Sequence, residues 1–210
     1  MLFGSPSIEQ LLAGIIALVV GLTFHEFSHA LVADRLGDRG PRLMGRLTLN
    51  PIPHIDPLGA LMLLIARFGW AKPVMVNPAA LRNGREGMAM VAAAGPAANL
   101  IVATAFGVLF RILDVAGVTG GFIADVVSLV VLLNVVLALF NLLPIPPLDG
   151  YNVALAFLPA RQAMTLRRYG QYGVLTLLGM ILLNYLGSPV NPLAWIFGIA
   201  AVIARLLLGL

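Results

Sequence analysis

The chain has 210 residues, of which 60% are hydrophobic and only 10% are charged, and its mean hydropathy is +0.98. Soluble domains carry about 25% charged residues, because they must cover their core with a polar surface. These values exclude a soluble fold of this length and predict an integral membrane protein. Cysteine is absent, which excludes disulfides, thiolate metal ligands and a cysteine nucleophile. The net charge of +4 does not come from a basic run, so we expect no binding to nucleic acid.

The first predicted element is a spanning helix over residues 8–33. Its apolar stretch lacks a preceding Lys or Arg and a small-residue cleavage site, so we do not expect a signal peptide. The next apolar segment, residues 58–68, is too short to span and is flanked by prolines. The flanking sequences "LTL" and "PVMV" are typical of extended backbone. We therefore expect a re-entrant or interfacial unit with a small β element here, next to a water-filled cavity.

The second half of the chain reads as helices separated by short turns. Predicted helices cover residues 87–113, 122–143, 170–186 and 192–208. The second of these is interrupted by a proline-rich break and continues to about residue 158. The fold class is therefore an all-α polytopic membrane protein with about five to six transmembrane helices. We expect one domain, residues 1–210, with a core over about 8–158 and a C-terminal helical pair over about 170–208.

The basic residues predict the orientation of the chain. If the first helix ends in the cytoplasm, twelve of the thirteen Lys and Arg residues, Arg67 among them, fall on or near that side, and only Arg111 falls outside. Cytoplasmic loops carry such an excess of positive charge. We therefore expect the end of the first helix, which carries His25 and His29, to face the cytoplasm.

The sequence "HEFSH" at the end of the first helix predicts a metal site. His25 and His29 are four residues apart, so they lie on one face of a helix and can bind one ion. Glu26 lies one step around, where it can act as general base toward a water that the metal activates. Titratable residues within spanning segments are costly and are usually functional. We expect one zinc ion per chain.

A catalytic zinc usually has a third protein ligand. His54 is one candidate, whereas Asp34, Asp38 and Glu86 lie in charged segments where we expect them to be solvated. Asp149 follows three prolines in "NLLPIPPLDG". Prolines interrupt a helix and leave carbonyls unpaired, so a polar pocket is expected there, and a buried carboxylate in it would need a cation.

Three motifs together resemble those of the site-2 proteases, which are intramembrane zinc metalloproteases. They are "HEFSH", "AAAGPAANL" at residues 92–100 and "NLLPIPPLDG" at residues 141–150, in the same order and spacing. "GRLTLNPIPHIDPLG" and "GWAKPVMVNP" resemble the short bacterial branch, which lacks PDZ and CBS domains. The resemblance implies that His25, His29 and Asp149 ligate zinc, that Glu26 is the base, and that the substrate is a transmembrane segment of another protein.

Several further residues are candidates for supporting roles. Asn141 would stabilise the oxyanion or bind the substrate backbone, or else bond to carbonyls freed by the prolines. The segment Val74, Met75 and Val76 would offer a strand edge to an unwound substrate, or else pack as a plug. Asn99 would hydrogen-bond between helices, and His54 would contact the mouth of the site or bond locally.

Two other functions are compatible with parts of the pattern. A catalytically silent membrane binding protein of the same fold would have no use for Glu26. A metal or proton transporter would use the helix break as an ion path, but the paired halves typical of transporters are absent from the sequence. We therefore expect a membrane endopeptidase whose partners are the lipid bilayer and a transmembrane substrate. The oligomeric state is left open.

Overall fold

The computed structural model describes residues 7–66, 69–118 and 120–210, without the side chains of 63–66. Arg67 and the end of the predicted 58–68 segment lie outside the described residues. Within the described ranges the chain forms α-helices joined by turns, and the helices are α1 (Ile8–Arg35), α2 (Gly40–Leu43), α3 (Pro57–Ala66), α4 (Gly84–Val115), α5 (Phe122–Asn141), α6 (Asp149–Phe157), α7 (Ala160–Tyr169), α8 (Gly173–Tyr185) and α9 (Pro192–Leu208).

Three helices of the described chain are long and apolar enough to cross a membrane. They are α1 with 28 residues, α4 with 32 and α5 with 20, and their most apolar windows have mean hydropathies of 1.8, 1.7 and 2.6. A 20-residue helix is about 30 Å long, the thickness of the hydrocarbon core. The predicted all-α membrane fold is confirmed, whereas the count of five to six spans stays a prediction. Helix α9 is apolar but shorter, with 17 residues.

Small residues allow α1, α4 and α5 to pack closely around one another. Gly21 of α1 is an example, because a Cβ there would lie 2.8 Å from Leu137 Cδ1 of α5 and 3.3 Å from the Asn134 amide. Small side chains let helix backbones approach, which is the main source of packing energy where lipid surrounds the bundle. Fully buried alanines occupy the same interfaces, namely Ala13, Ala17, Ala103 and Ala138.

The region between α2 and α4 differs from the expected small sheet. Its described residues contain α3, two 3₁₀ turns and one isolated antiparallel bridge between Ile55 and Ala71. Residues 69–77 contain the bridge residue Ala71, are otherwise without regular structure and lead to the second turn, which Asn77 precedes in an extended conformation. Prolines at 51, 53, 73 and 78 remove backbone donors, which explains why no longer ladder forms in the described part. The re-entrant placement of this unit stays a prediction.

The C-terminal half contains one predicted feature and one helix that the sequence analysis did not assign. The break after α5 is as predicted, with α6 beginning at Asp149 rather than continuing α5. Between the predicted helices that end at about 158 and begin at 170, the chain forms α7, an amphipathic helix with Arg167 and Arg168 in its last turn. Its charged residues keep it from resembling an apolar span.

Candidate metal centre

The residues His25, His29 and Asp149 converge at one point inside the bundle. Nε2 of His25 lies 3.1 Å from Asp149 Oδ2, and Nε2 of His29 lies 3.3 Å from the same oxygen. The two histidines are 5% and 8% exposed, and their rings meet edge to face with centroids 4.6 Å apart. Helix α1 supplies the imidazoles four residues apart, and the helix break brings the carboxylate to them from the start of α6.

A chain of hydrogen bonds fixes the protonation of His25. Asn134 Nδ2 donates to the Val130 carbonyl over 2.8 Å, so Asn134 Oδ1 faces Asn99 as an acceptor. Asn99 Nδ2 donates to this oxygen over 2.8 Å and to the Gly21 carbonyl over 3.0 Å. Asn99 Oδ1 therefore faces His25 Nδ1, at 2.6 Å, and must accept its proton. The remaining nitrogen of His25, Nε2, is left with a free lone pair.

The same reasoning applies to His29. Its Nδ1 lies 2.7 Å from the main-chain carbonyl oxygen of Val91, which can only accept. The proton of the neutral ring is therefore on Nδ1, and Nε2 again carries a lone pair. Such an outer hydrogen bond to backbone or amide is the usual way in which a protein orients a metal-binding histidine.

When both imidazoles are neutral, three lone-pair atoms therefore face one another, and this arrangement calls for a cation. Asp149 Oδ2 is buried and has no hydrogen-bond partner among the described residues. Two ligands at 2.0–2.1 Å from a tetrahedral zinc are about 3.3 Å apart, which matches the observed 3.1 and 3.3 Å. Zinc prefers this mixture of imidazole and carboxylate, so the donor set fits the ion in both chemistry and spacing.

Gly95 of α4 leaves the space that an ion at this point needs. A Cβ at this position would lie 2.5 Å from His29 Nε2 and 2.6 Å from His25 Cε1. Alanine would therefore place a methyl group where the imidazoles converge.

Glu26 contacts the extended segment that follows α3. We name residues 72–77 the strap. The backbone N–H of Val74 donates to Glu26 Oε2 over 3.1 Å, and the glutamate is 8% exposed. The strap therefore reaches the carboxylate that directly follows His25, the first histidine of the cluster. This contact brings the predicted segment Val74, Met75 and Val76 to the site, although its role there remains a hypothesis.

Side chains from two loops fasten the strap. Arg46, 5% exposed, donates through Nη2 to the Pro73 carbonyl over 3.1 Å and through Nη1 to the Pro53 carbonyl over 2.6 Å. Asp38 Oδ2 accepts from the Asn77 N–H over 2.7 Å. The expectation that Asp38 is solvated is wrong, because it is 5% exposed and also caps the Gly40 N–H. No short-range signal in the sequence links residue 38 to residue 77.

The other sequence candidates lie around this centre. Asn141 donates its amide to the Leu137 carbonyl one turn earlier over 2.9 Å. His54 lies outside the three-residue cluster, with Nε2 2.9 Å from the Thr48 carbonyl oxygen. Asn99 joins α1, α4 and α5 and contacts the imidazole of His25. Sequence reasoning missed Asn134, since a lone Asn in an apolar helix carries no motif.

An apolar helical bundle with a buried His–His–Asp centre and an adjacent glutamate is the arrangement of a membrane metallopeptidase. The profile of peptidase family M50 matches residues 115–185, the part that contains Asp149. The chain is 39% identical to "Putative zinc metalloprotease YwhC" of Bacillus subtilis over 183 residues, covering 84% of this chain and 82% of that protein. It is 32% identical to "Putative zinc metalloprotease Rip2" of Mycobacterium tuberculosis H37Rv over 210 residues, covering 92% of this chain and 78% of that protein.

The chain therefore belongs to peptidase family M50, the site-2 protease family, and is a zinc metalloprotease. A longer relative, "Putative zinc metalloprotease Rip3" of Mycobacterium tuberculosis H37Rv, is 30% identical over 190 residues, which are 87% of this chain but 42% of that protein. No solved structure matches the chain significantly.

Proposed function

We propose that this protein is an intramembrane endopeptidase that hydrolyses peptide bonds in or near transmembrane segments of other membrane proteins. One observation carries the proposal: the lone pairs of His25, His29 and Asp149 converge within a bundle of membrane-length helices, with Glu26 next to them in sequence. A site that lies between membrane-length helices suits substrates whose peptide bonds are themselves within the bilayer. We propose His25, His29 and Asp149 as the zinc ligands.

Glu26 is the general base of the proposed reaction. Zinc, when bound at the three ligands, supplies a Lewis acid that polarises the scissile carbonyl and acidifies the attacking water. Glu26 takes the proton from that water and then donates it to the leaving amine. Its Oε2 accepts the Val74 N–H, whereas Oε1 has no hydrogen-bond partner among the described residues and is available for the proton.

Asn141 is a candidate donor to the oxyanion of the tetrahedral intermediate. A primary amide carries two N–H groups, and the bond to the Leu137 carbonyl uses one of them. The second N–H of the Asn141 amide is the group that would donate a hydrogen bond to the oxyanion. The position of Asn141 at the last turn of α5, immediately before the break that leads to Asp149, supports this assignment.

The strap is the proposed edge for an unwound substrate segment. The N–H and carbonyl of Met75 are paired with no other group in the described parts of the chain, and its side chain is 68% exposed. Main-chain pairing to such an edge gives affinity with little dependence on sequence. The strap would then hold the scissile bond next to Glu26, which Val74 already contacts.

The proposed location is the bacterial cell membrane, with the site opening to the cytoplasm. The segment from the last residue of α1 to the turn after α2 carries four arginines, Arg35, Arg39, Arg42 and Arg46, in agreement with the positive-inside rule. Water would enter from that side. The partners are therefore the bilayer and a transmembrane substrate protein.

Glu26→Gln tests the proposed reaction. The purified protein in detergent should contain one zinc per chain in both the native and the Glu26→Gln form. Cleavage of a model transmembrane substrate should fall at least ~100-fold in the variant, because general-base catalysis is lost. Glu86→Gln is the matched control, since Glu86 is exposed on α4. Equal cleavage by native protein and Glu26→Gln would reject Glu26 as the base, and no cleavage by the zinc-loaded native protein would reject the function.

A further inference from the structure

An apolar cavity lies against α1, one helical turn before Glu26, and the reaction proposed above does not use it. It has a volume of about 220 Å³ and lies between one face of α1 and residues of the segments 51–60 and 69–71. Its lining is almost entirely apolar and includes Val19 and Leu22 from α1, Ala60 from α3 and the backbone near Ala71. An apolar cavity of about 150 Å³ is large enough for a benzene molecule. This one has room for one leucine- or phenylalanine-sized side chain.

Two segments that line the cavity lead directly to the proposed base, Glu26. Leu22 lines the cavity, and Glu26 follows it by one turn of α1 on the same face, about 6 Å along the helix. Ala71 also lines the cavity, and three residues later the Val74 N–H bonds to Glu26. If a substrate peptide is held at Glu26, a side chain of that peptide next to the scissile bond can therefore enter this cavity.

The cavity contains one buried polar side chain with an unmet hydrogen bond. His54 lines it and is only 2% exposed. Its Nε2 lies 2.9 Å from the Thr48 carbonyl oxygen, which can only accept, so Nε2 carries the proton of the neutral ring. Nδ1 is then an acceptor, and it is buried without a partner among the described residues. A buried acceptor in this state is unfavourable and calls for an N–H donor.

An unwound transmembrane segment has backbone N–H groups that lack an acceptor, which complements the unpaired Nδ1 of His54. Once its helix opens for cleavage, its backbone N–H groups lose their partners, and at membrane depth each unpaired group costs several kcal/mol. Its side chains are mostly large and apolar. A lipid acyl chain would also fill an apolar space, but it offers no N–H to Nδ1. The cavity and His54 together therefore fit an opened apolar peptide.

We infer that this cavity is a specificity pocket that takes one large apolar side chain of the substrate while His54 Nδ1 accepts a backbone N–H from the same stretch of peptide. The inference rests on the proposed function, because it assigns part of the substrate to the same active site. It makes His54 a substrate-binding residue rather than a metal ligand, and it predicts a preference at one position near the scissile bond.

The pocket is tested by filling it. Mass spectrometry first locates the bond that the native protein cleaves in a model transmembrane substrate. Each flanking residue is then changed singly to Ala or Leu. At one position, we expect native protein to cleave the Leu substrate about tenfold faster than the Ala substrate. Ala60→Leu should abolish or reverse this preference at unchanged zinc content, and Ala105→Leu, on an exposed face of α4, should keep it.

The outcomes separate the pocket from the function. If the native protein cleaves the substrate but shows no side-chain preference, or if Ala60→Leu keeps the native preference, the pocket is wrong and the protease function stands. If the zinc-loaded native protein cleaves no transmembrane substrate, the function itself fails.

The hydrogen bond is tested independently with a backbone ester. Replacing one substrate amide by an ester removes a single N–H, and at the position that meets His54 it should slow native cleavage about five- to tenfold. His54→Gln keeps a donor for the Thr48 carbonyl through its amide nitrogen but has no acceptor in the place of Nδ1. This variant should cleave amide and ester substrates at equal rates with native zinc content. A full ester effect in His54→Gln, or no ester effect in native protein, would overturn the role of His54.

Discussion

The metal centre and the strap lie side by side, but the protein holds them in different ways. The metal centre is built from buried helices, and its outer hydrogen bonds run through side chains such as Asn99 and Asn134, which are both 0% exposed. The strap is extended backbone whose middle residue, Met75, is 68% exposed. It is fastened by a few side chains, Arg46 and Asp38 among them. The proposed chemistry is thus supported by the core, whereas the proposed substrate recognition depends on a segment attached at its edge.

This difference predicts that mutations will separate into two classes. Changes in the core should reduce zinc affinity, whereas changes at the strap should alter KM and leave zinc in place. The largest effect should come from Gly95→Ala. The added methyl would lie 2.5 Å from His29 Nε2, in a helix interface that cannot give way, so we expect zinc to be lost. Zinc content by atomic absorption checks this.

Gly14→Ala is the matched control for this change, because a Cβ at Gly14 meets nothing within 4 Å among the described residues. It should keep one zinc per chain. A Gly95→Ala protein that binds zinc as the native protein does would show that the ion does not lie in front of this glycine.

A smaller core effect is expected from Asn99→Leu. This change leaves the His25 Nδ1–H without its acceptor and releases the orientation of the ring. Loss of such an outer partner weakens metal binding about 10–100-fold. Asn134→Ala should weaken it less, because Asn99 keeps its bond to the Gly21 carbonyl. Competition with a chromogenic chelator measures both values, and native zinc affinity in Asn99→Leu would contradict the hydrogen-bond chain.

The smallest of the expected effects belongs to the strap. Arg46→Ala removes the donors to the Pro53 and Pro73 carbonyls, so the strap should lose its fixed position. We expect KM for a transmembrane substrate to rise several-fold with native zinc content. Arg42→Ala is the control four residues earlier in the chain, because Arg42 pairs with Asp34 of α1 and makes no hydrogen bond to the strap among the described residues. If both variants keep the native KM, the strap does not bind substrate.

The sequence was most informative where local geometry determines the outcome. The spacing of His25 and His29 requires one helix face, and three prolines before Asp149 require a break in the helix. The burial of Asp38 and the position of Asn134 depend instead on contacts between residues far apart in the chain. A single sequence holds no record of such pairings, so it gave no reason to connect either residue with the site.

The tautomers of the two histidines could also not be predicted from the sequence. They follow from the Val91 carbonyl and from the amide of Asn99, both on α4, and neither partner can be known until that helix is placed against α1. Asn99 was expected only to join helices. The physical reason for a metal site, three lone pairs facing one another, therefore emerges from the packed bundle rather than from the HExxH pattern alone.

The most direct test of the account is zinc-edge X-ray absorption on the native protein and on Asp149→Ala, with Asp125→Ala as a control near the start of α5. Native protein and the control should show one zinc with two imidazole ligands and oxygen ligands at about 2.0–2.2 Å. Asp149→Ala should lose most of its zinc. A full zinc load with the native spectrum in Asp149→Ala would contradict the proposed His–His–Asp centre.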